Sequence, residues 1–220
     1  MRHSMNSRSL PRGASHPGLS HRWTALWRRL GVLEIPAVAP LLARWQEPQR
    51  AYHTLTHLAN CLAIYDRNPH HDARVELALW FHDAVYDPQA HDNEARSVKL
   101  AQTTMAAAGM NGEFQDTVCG CILATRHRDP PANTLEALTL DVDLAILGAS
   151  RLRFTAYDRD IRREYAWVPW DTYCRERGRI LTAFLARPHL YSTPWIHRRF
   201  AARARGNLSR AIRALEHDHG

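Results

Sequence analysis

Val75-Glu-Leu-Ala-Leu-Trp-Phe-His-Asp-Ala-Val-Tyr-Asp87 is the stretch from which the fold can be read. Residues 75–81 are apolar nearly all round the helix circumference, the mark of a helix buried on every side. His82 and Asp83 then end that helix inside the protein. A buried acid without a partner costs on the order of a few kcal/mol, so the segment demands a cation beside Asp83. A His-Asp dipeptide alone would read as a surface or capping pair, and it is the apolar run ahead of it that changes the reading.

Outward from this segment, helical periodicity appears nearly everywhere and strand alternation nearly nowhere. Upstream, Ser20 is the expected N-cap of a helix carrying Trp23, Leu26, Trp27 and Leu30 on one face, with Gly31 just past its end. Pro36 suits a helix first turn, and Pro48 stops the segment that follows. Tyr52, Leu55, Ala59, Leu62 and Tyr65 form an expected apolar stripe, broken at Asn68-Pro69. Downstream, residues 92–108 read as a helix capped by Asp92 and ended by Gly109. Residues 113–127 place Phe114, Val118, Cys121 and Ile122 on one face. Residues 134–147 carry Asp141 and Asp143 between apolar neighbours, and Ser150 opens a helix aligning Phe154, Tyr157, Ile161 and Tyr165. Two helices follow over 170–186 and 194–215. The pattern predicts an all-α fold, an irregular bundle of about eight to ten helices.

The 220 residues suit one domain, expected over 21–216, behind a disordered basic leader over 1–20. No apolar run approaches the roughly 20 residues that cross a bilayer, and the leader has no apolar core of a secretory signal, so a cytoplasmic protein without membrane contact is expected. Cys61, Cys119, Cys121 and Cys174 have neither zinc-ribbon nor disulfide-framework spacing and read as reduced, mostly buried thiols. The formal charge of +7 is uneven, because six Arg and no acid fall within residues 1–33. The remainder is nearly neutral, so nucleic acid is expected to bind at most weakly, through the basic tail. Trp167, Trp170 and Trp195 fit a dimer face or a core equally well, and oligomeric state stays open.

His53, His57, His82, Asp83 and Asp143 are the candidate metal ligands. Residues four apart on a helix lie one above the other, so His53 and His57 can present both imidazoles to one side. Imidazole with carboxylate suits a divalent transition metal such as Mn, Fe, Ni, Co or Zn, as one ion or two. Asp143, 60 residues beyond Asp83, would come from another helix. The local sequence does not decide between it and Asp141.

Three segments, Arg50-Ala-Tyr-His-Thr-Leu-Thr-His57, Ala78-Leu-Trp-Phe-His-Asp-Ala-Val-Tyr-Asp87 and Leu140-Asp-Val-Asp-Leu-Ala-Ile-Leu-Gly148, resemble the HD-superfamily metal-dependent phosphohydrolases. More narrowly they are similar to a bacterial branch with an RxYHxxxH opening, an ALWFHDAVYDP centre and a DxDLAILG third motif. The resemblance implies an HD-like helical bundle and a metal-activated water acting on a small phosphorylated substrate, such as a nucleotide. It ranks His53 ahead of His57, because the step from His53 to His82 is that of HD domains. It also favours Asp143 as the ligand, with Asp141 beside the metal shell or on substrate. Asp83 is then both ligand and candidate proton acceptor. Thr125-Arg126-His127 resembles a segment that holds substrate or a second ion, which nominates His127 and Arg126. Glu94 is a candidate acid, and Arg50, Asp92 and Lys99 are candidate substrate contacts. Each has a plainer reading, Asp92 as an N-cap, Glu94 as a first-turn acid, His127 at a helix end. Arg162, Glu164 and Tyr165 resemble a further family segment, read as an ion pair tying that helix to the site. The Gly-Tyr-Pro extension of cyclic-dinucleotide phosphodiesterases is not present. Two other expectations stand beside hydrolysis: a di-iron oxygenase of HD type, and a noncatalytic, metal-stabilised regulatory or nucleic-acid-binding module.

Overall fold

The computed structural model describes residues 17–217, and among these ten α-helices, one 3-10 helix and no strand occur. The helix at the heart of the chain is α4 (Ala73–Phe81), which packs against α3 (Leu55–Tyr65), α5 (Asn93–Ala107), α6 (Gly112–Ala124) and α7 (Thr134–Asp143). Residues 75–81 are all buried, as the sequence requires. The one acid among them, Glu76, is held by Arg22 at 2.7 Å and Arg29 at 2.6 Å, both on α1 (Pro17–Arg29). Trp23 of the same helix meets Trp80 and Phe81 edge-on at 5.1 and 5.9 Å. Aromatic packing and part-buried ion pairs to Glu76 thus clamp α1 onto α4.

The second half of the chain is built on the 3-10 helix Leu144–Gly148, which continues directly from α7 and packs against α8 (Arg151–Glu164) and α10 (Pro194–His217). Helix α9 (Trp170–Ala186) lies along α10. The approach of α10 is close enough that a Cβ on Gly148 would sit 2.5 Å from Phe200 Cβ, so only glycine fits. Among the described residues no helix is long and apolar enough to cross a membrane.

Several local expectations shift. Helix α1 begins at Pro17, which suits a helix first turn, so Ser20 lies inside it and its carbonyl accepts Thr24 Oγ. Of the expected disordered leader over 1–20, residues 1–16 lie outside the described residues, and residues 17–20 instead form the first turn of α1. Pro36 precedes a short helix α2 (Ala39–Arg44) and its carbonyl accepts Trp23 Nε1. Thr54 caps α3, so Tyr52 and His53 stand before the helix. The buried face of α3 is Leu55, Leu58, Cys61, Leu62 and Tyr65, while Ala59 is exposed, because a period of 3.6 carries position 59 off that face. Helix α6 ends at Ala124, and α7 ends at Asp143. Trp167 and Trp170 are exposed, whereas Trp195 is partly buried and donates to Asn68.

Candidate metal centre

The chain ends of α4 and α7 meet the inner face of α3. His82, the C-cap of α4, brings its Nε2 to 3.0 Å from His57 Nε2, 3.1 Å from Asp83 Oδ2 and 3.6 Å from Asp143 Oδ1. His57 Nε2 also lies 3.2 Å from Asp143 Oδ1 and 3.6 Å from Asp83 Oδ2. Cys61, one turn along α3 from His57, joins this group: one donor atom each from His57, Cys61, His82 and Asp143 all fall within 4.8 Å of one another. His53 stands at the rim, with Nε2 3.9 Å from Asp83 Oδ2. His57 is therefore the more central of the two histidines, the reverse of the order the motif spacing implies. His127, beyond the end of α6, contacts the outer oxygen of Asp143 through Nε2 at 3.0 Å.

Hydrogen bonds outside the cluster fix these rings. His82 Nδ1–H donates to the Leu79 carbonyl at 2.9 Å, which turns Nε2 toward the cluster. Glu164, at the end of α8, binds His53 Nδ1 at 2.7 Å with one oxygen, which also accepts the Tyr86 hydroxyl. Its other oxygen accepts the backbone N–H groups of Ala51, Tyr52 and His53. The acid of the expected ion pair thus holds both the ring and the backbone of His53. Arg162 turns elsewhere, donating to the carbonyls of Tyr165 and Val168.

Burial disfavours charge on every member of the group, and the partners decide which way each one moves. On His82, burial opposes protonation but the Asp83 and Asp143 carboxylates together outweigh it, and the imidazole is held well above its ordinary range. His53 is raised in the same way by Asp83 and Glu164, against its burial. His57 is lowered, because burial prevails over Asp143. Burial would raise Asp83 and Asp143, yet His82 and His53 depress the first, and hydrogen bonds from His127, His57 and His82 depress the second. For Glu164, burial is overcome by His53 and the backbone donors, which hold it at about 2. Two ionised carboxylates in a cleft of imidazoles present the charge and donor types that suit a divalent ion of borderline softness.

Other candidates fall elsewhere. Arg50 is buried with all five of its N–H donors engaged, by Glu47 and by the carbonyls of His53, Asp83 and Ala84. It braces the two ligand-bearing turns and has no donor left for substrate. Asp141, two residues from Asp143 and so nearly opposite on α7, accepts the N–H of Thr193 at the entry to α10 and does not face the cluster. Its role is to join α7 to α10. Asp92 is exposed at the start of α5, where its side chain makes no capping bond, and Lys99 is exposed on the same helix. Glu94 pairs with Arg126 at 3.6 Å, both partly exposed. A cleft of about 350 Å³ lined by Arg44, Glu47, Tyr86, Asp87 and Arg96, with two neighbours, contains none of the donors. The sequence missed Cys61, although its i+4 step from His57 was visible.

Comparison with protein-family models, with curated proteins and with solved structures gives no match. The functional reading rests on the side chains themselves.

Proposed function

We propose that the cluster is a divalent-metal centre and that the protein is a metal-dependent phosphohydrolase, of the HD type that its motifs resemble, acting on a small phosphorylated molecule such as a nucleotide. The observation that carries this reading is the uneven burial of the donors. The side chains of His57 and His82 are 2% and 1% exposed, whereas those of His53, Asp83, Asp143 and His127 are 19%, 17%, 15% and 18% exposed. A structural metal site is sealed all round, while a catalytic one keeps a side for water and substrate. The gradient supports the second kind.

When bound, the ion would supply Lewis acidity toward a phosphoryl oxygen and a water of lowered pKa. The chain's own groups do the positioning. Leu79 and Glu164 aim the Nε2 atoms of His82 and His53, and Arg50 fixes the backbone from which Asp83 projects. Asp83 stands at the open side as an ionised carboxylate able to accept a proton. His127 is held in a left-handed backbone conformation with φ 56° while Arg187 binds its carbonyl, and its buried Nδ1 has no partner. We assign that ring the transfer of a proton to a leaving oxygen, for which Nε2 must turn away from Asp143. Arg126, its neighbour in the chain, is a part-exposed cation suited to a phosphate. The test is release of phosphate or nucleoside from a panel of phosphate esters, with protein reloaded with Mn, Fe, Ni, Co or Zn. Metal-dependent turnover that Asp83→Asn and His127→Ala reduce is expected. Retained metal with no turnover on any ester would leave the noncatalytic module ahead.

A second reading has its own support. Asp143 turns Oδ1 toward His57 and His82 and Oδ2 toward His127, an arrangement suited to bridging two ions. Two irons per chain with oxygen uptake would favour a di-iron oxygenase over hydrolysis.

A further inference from the structure

Cys61 is the one member of the cluster whose chemistry the hydrolase reading does not use. Its sulfur is buried and lies 3.8 Å from His57 Nδ1 and 3.7 Å from His57 Nε2. Near-equal distances to both ring nitrogens put the sulfur off the lone-pair direction of each, so the thiol has no well-directed hydrogen bond to that ring. A plain core cysteine would be surrounded by apolar atoms, but this one stands within reach of two imidazoles and a carboxylate. The nitrogen and oxygen donors have the spacing of a common ion, and the sulfur stands beside them within 4.8 Å. Donors at about 2.0–2.1 Å for nitrogen or oxygen and about 2.3 Å for sulfur, arranged tetrahedrally, are separated by about 3.3 Å for N and O pairs and about 3.5 Å for N and S. The corresponding separations here are 3.0 Å for His57 to His82, 3.2 Å for His57 to Asp143, 3.6 Å for His82 to Asp143 and 3.7 Å for Cys61 to His57.

We propose that Cys61 is a thiolate ligand of this centre, so that the ion is held in depth by His57, Cys61, His82 and Asp143 and the site prefers zinc or cobalt to manganese or magnesium. The proposal rests on the metal-centre reading above. The S–H bond breaks as the sulfur–metal bond forms, and the proton leaves to the buffer. A thiolate raises affinity for soft and borderline ions, and it adds little for hard ones. The exposed side bounded by Asp83 and His53 stays open for a further donor.

Cobalt(II) reports the ligand directly. The metal-stripped full chain, titrated with cobalt(II), is expected to develop visible d–d bands together with a near-ultraviolet sulfur-to-cobalt charge-transfer band. Cys61→Ser should keep the d–d bands, lose the charge-transfer band and bind zinc at least tenfold more weakly while binding manganese almost unchanged. The d–d bands without charge transfer in the wild-type chain would overturn the proposal and leave a histidine–carboxylate centre standing. A charge-transfer band that persists in Cys61→Ser would overturn it too, by assigning the sulfur elsewhere. No cobalt bands at all would remove the metal centre itself. The wild-type spectrum decides the first question without requiring a variant to fold.

Discussion

Glu164 is the single side chain on which the backbone before α3 and the ring of His53 both depend. Its carboxylate is buried, so it is tolerable only because five donors converge on it, and one of them is the ring of His53. A carboxylate held at about 2, against an ordinary 4.5, stabilises the fold fully above pH 4.5 and loses that contribution as the pH falls toward about 2. The loss is on the order of 3 kcal/mol. Acid titration followed by circular dichroism should therefore show Glu164→Gln already destabilised at neutral pH and flatter than wild type between pH 4.5 and 2. The same substitution should weaken metal binding by about 10–100-fold, the usual effect of losing a ligand's hydrogen-bond partner. At this scale His82, Asp83 and Asp143 were legible from polar side chains set in apolar runs. The choice between Asp141 and Asp143 was not, because both sit between apolar neighbours and only the facing helices distinguish them. Arg50 looked like a free cation because a sequence does not display which carbonyls a guanidinium meets. Cys61 looked like core because thiols usually are.

At the scale of elements, α4 was readable because it is buried all round, and a helix of that kind needs no knowledge of its neighbours' phase. What the sequence could not supply was the partner of Glu76, which comes from α1 and depends on tertiary packing. Glu76→Ala should cost about 2 kcal/mol, since it removes the buried acid that joins Arg22 and Arg29 to α4 and leaves Arg22 only Asp66, and thermal unfolding would detect it. Gly148→Ala drives a methyl group into Phe200 and should cost about 2–3 kcal/mol by displacing α10, lowering the midpoint by roughly 4–12 °C. An unchanged midpoint would contradict the close approach. Helix starts were the least legible features. Pro17 outcompetes Ser20, and α3 starts past His53, because first-turn preferences are weak beside the packing of the helix that follows. The consequence reaches the site: His53 comes from a bend fixed by Glu164, not from the helical ladder that its spacing to His57 suggests.

For the whole molecule, the expected irregular all-α bundle is the fold observed, because composition and periodicity pointed one way along the entire chain. One connected core runs from Trp23 to Leu215, and the metal-site residues lie where its central helix emerges toward solvent. The imidazoles already offset the charges of Asp83 and Asp143, and an ion bound as proposed would add to the stability of the fold. Removing metal with a chelator should lower the thermal midpoint, and adding it back should restore it. The proposed activity requires first that these side chains bind a metal. The most direct test of that binding is elemental mass spectrometry on the purified chain, reloaded with transition metal, beside Asp83→Ala and Asp143→Ala. One or two ions per chain in wild type, lost in Asp143→Ala and held more weakly in Asp83→Ala, is the predicted result. A wild-type chain that retains none of Mn, Fe, Ni, Co or Zn after reloading would contradict it.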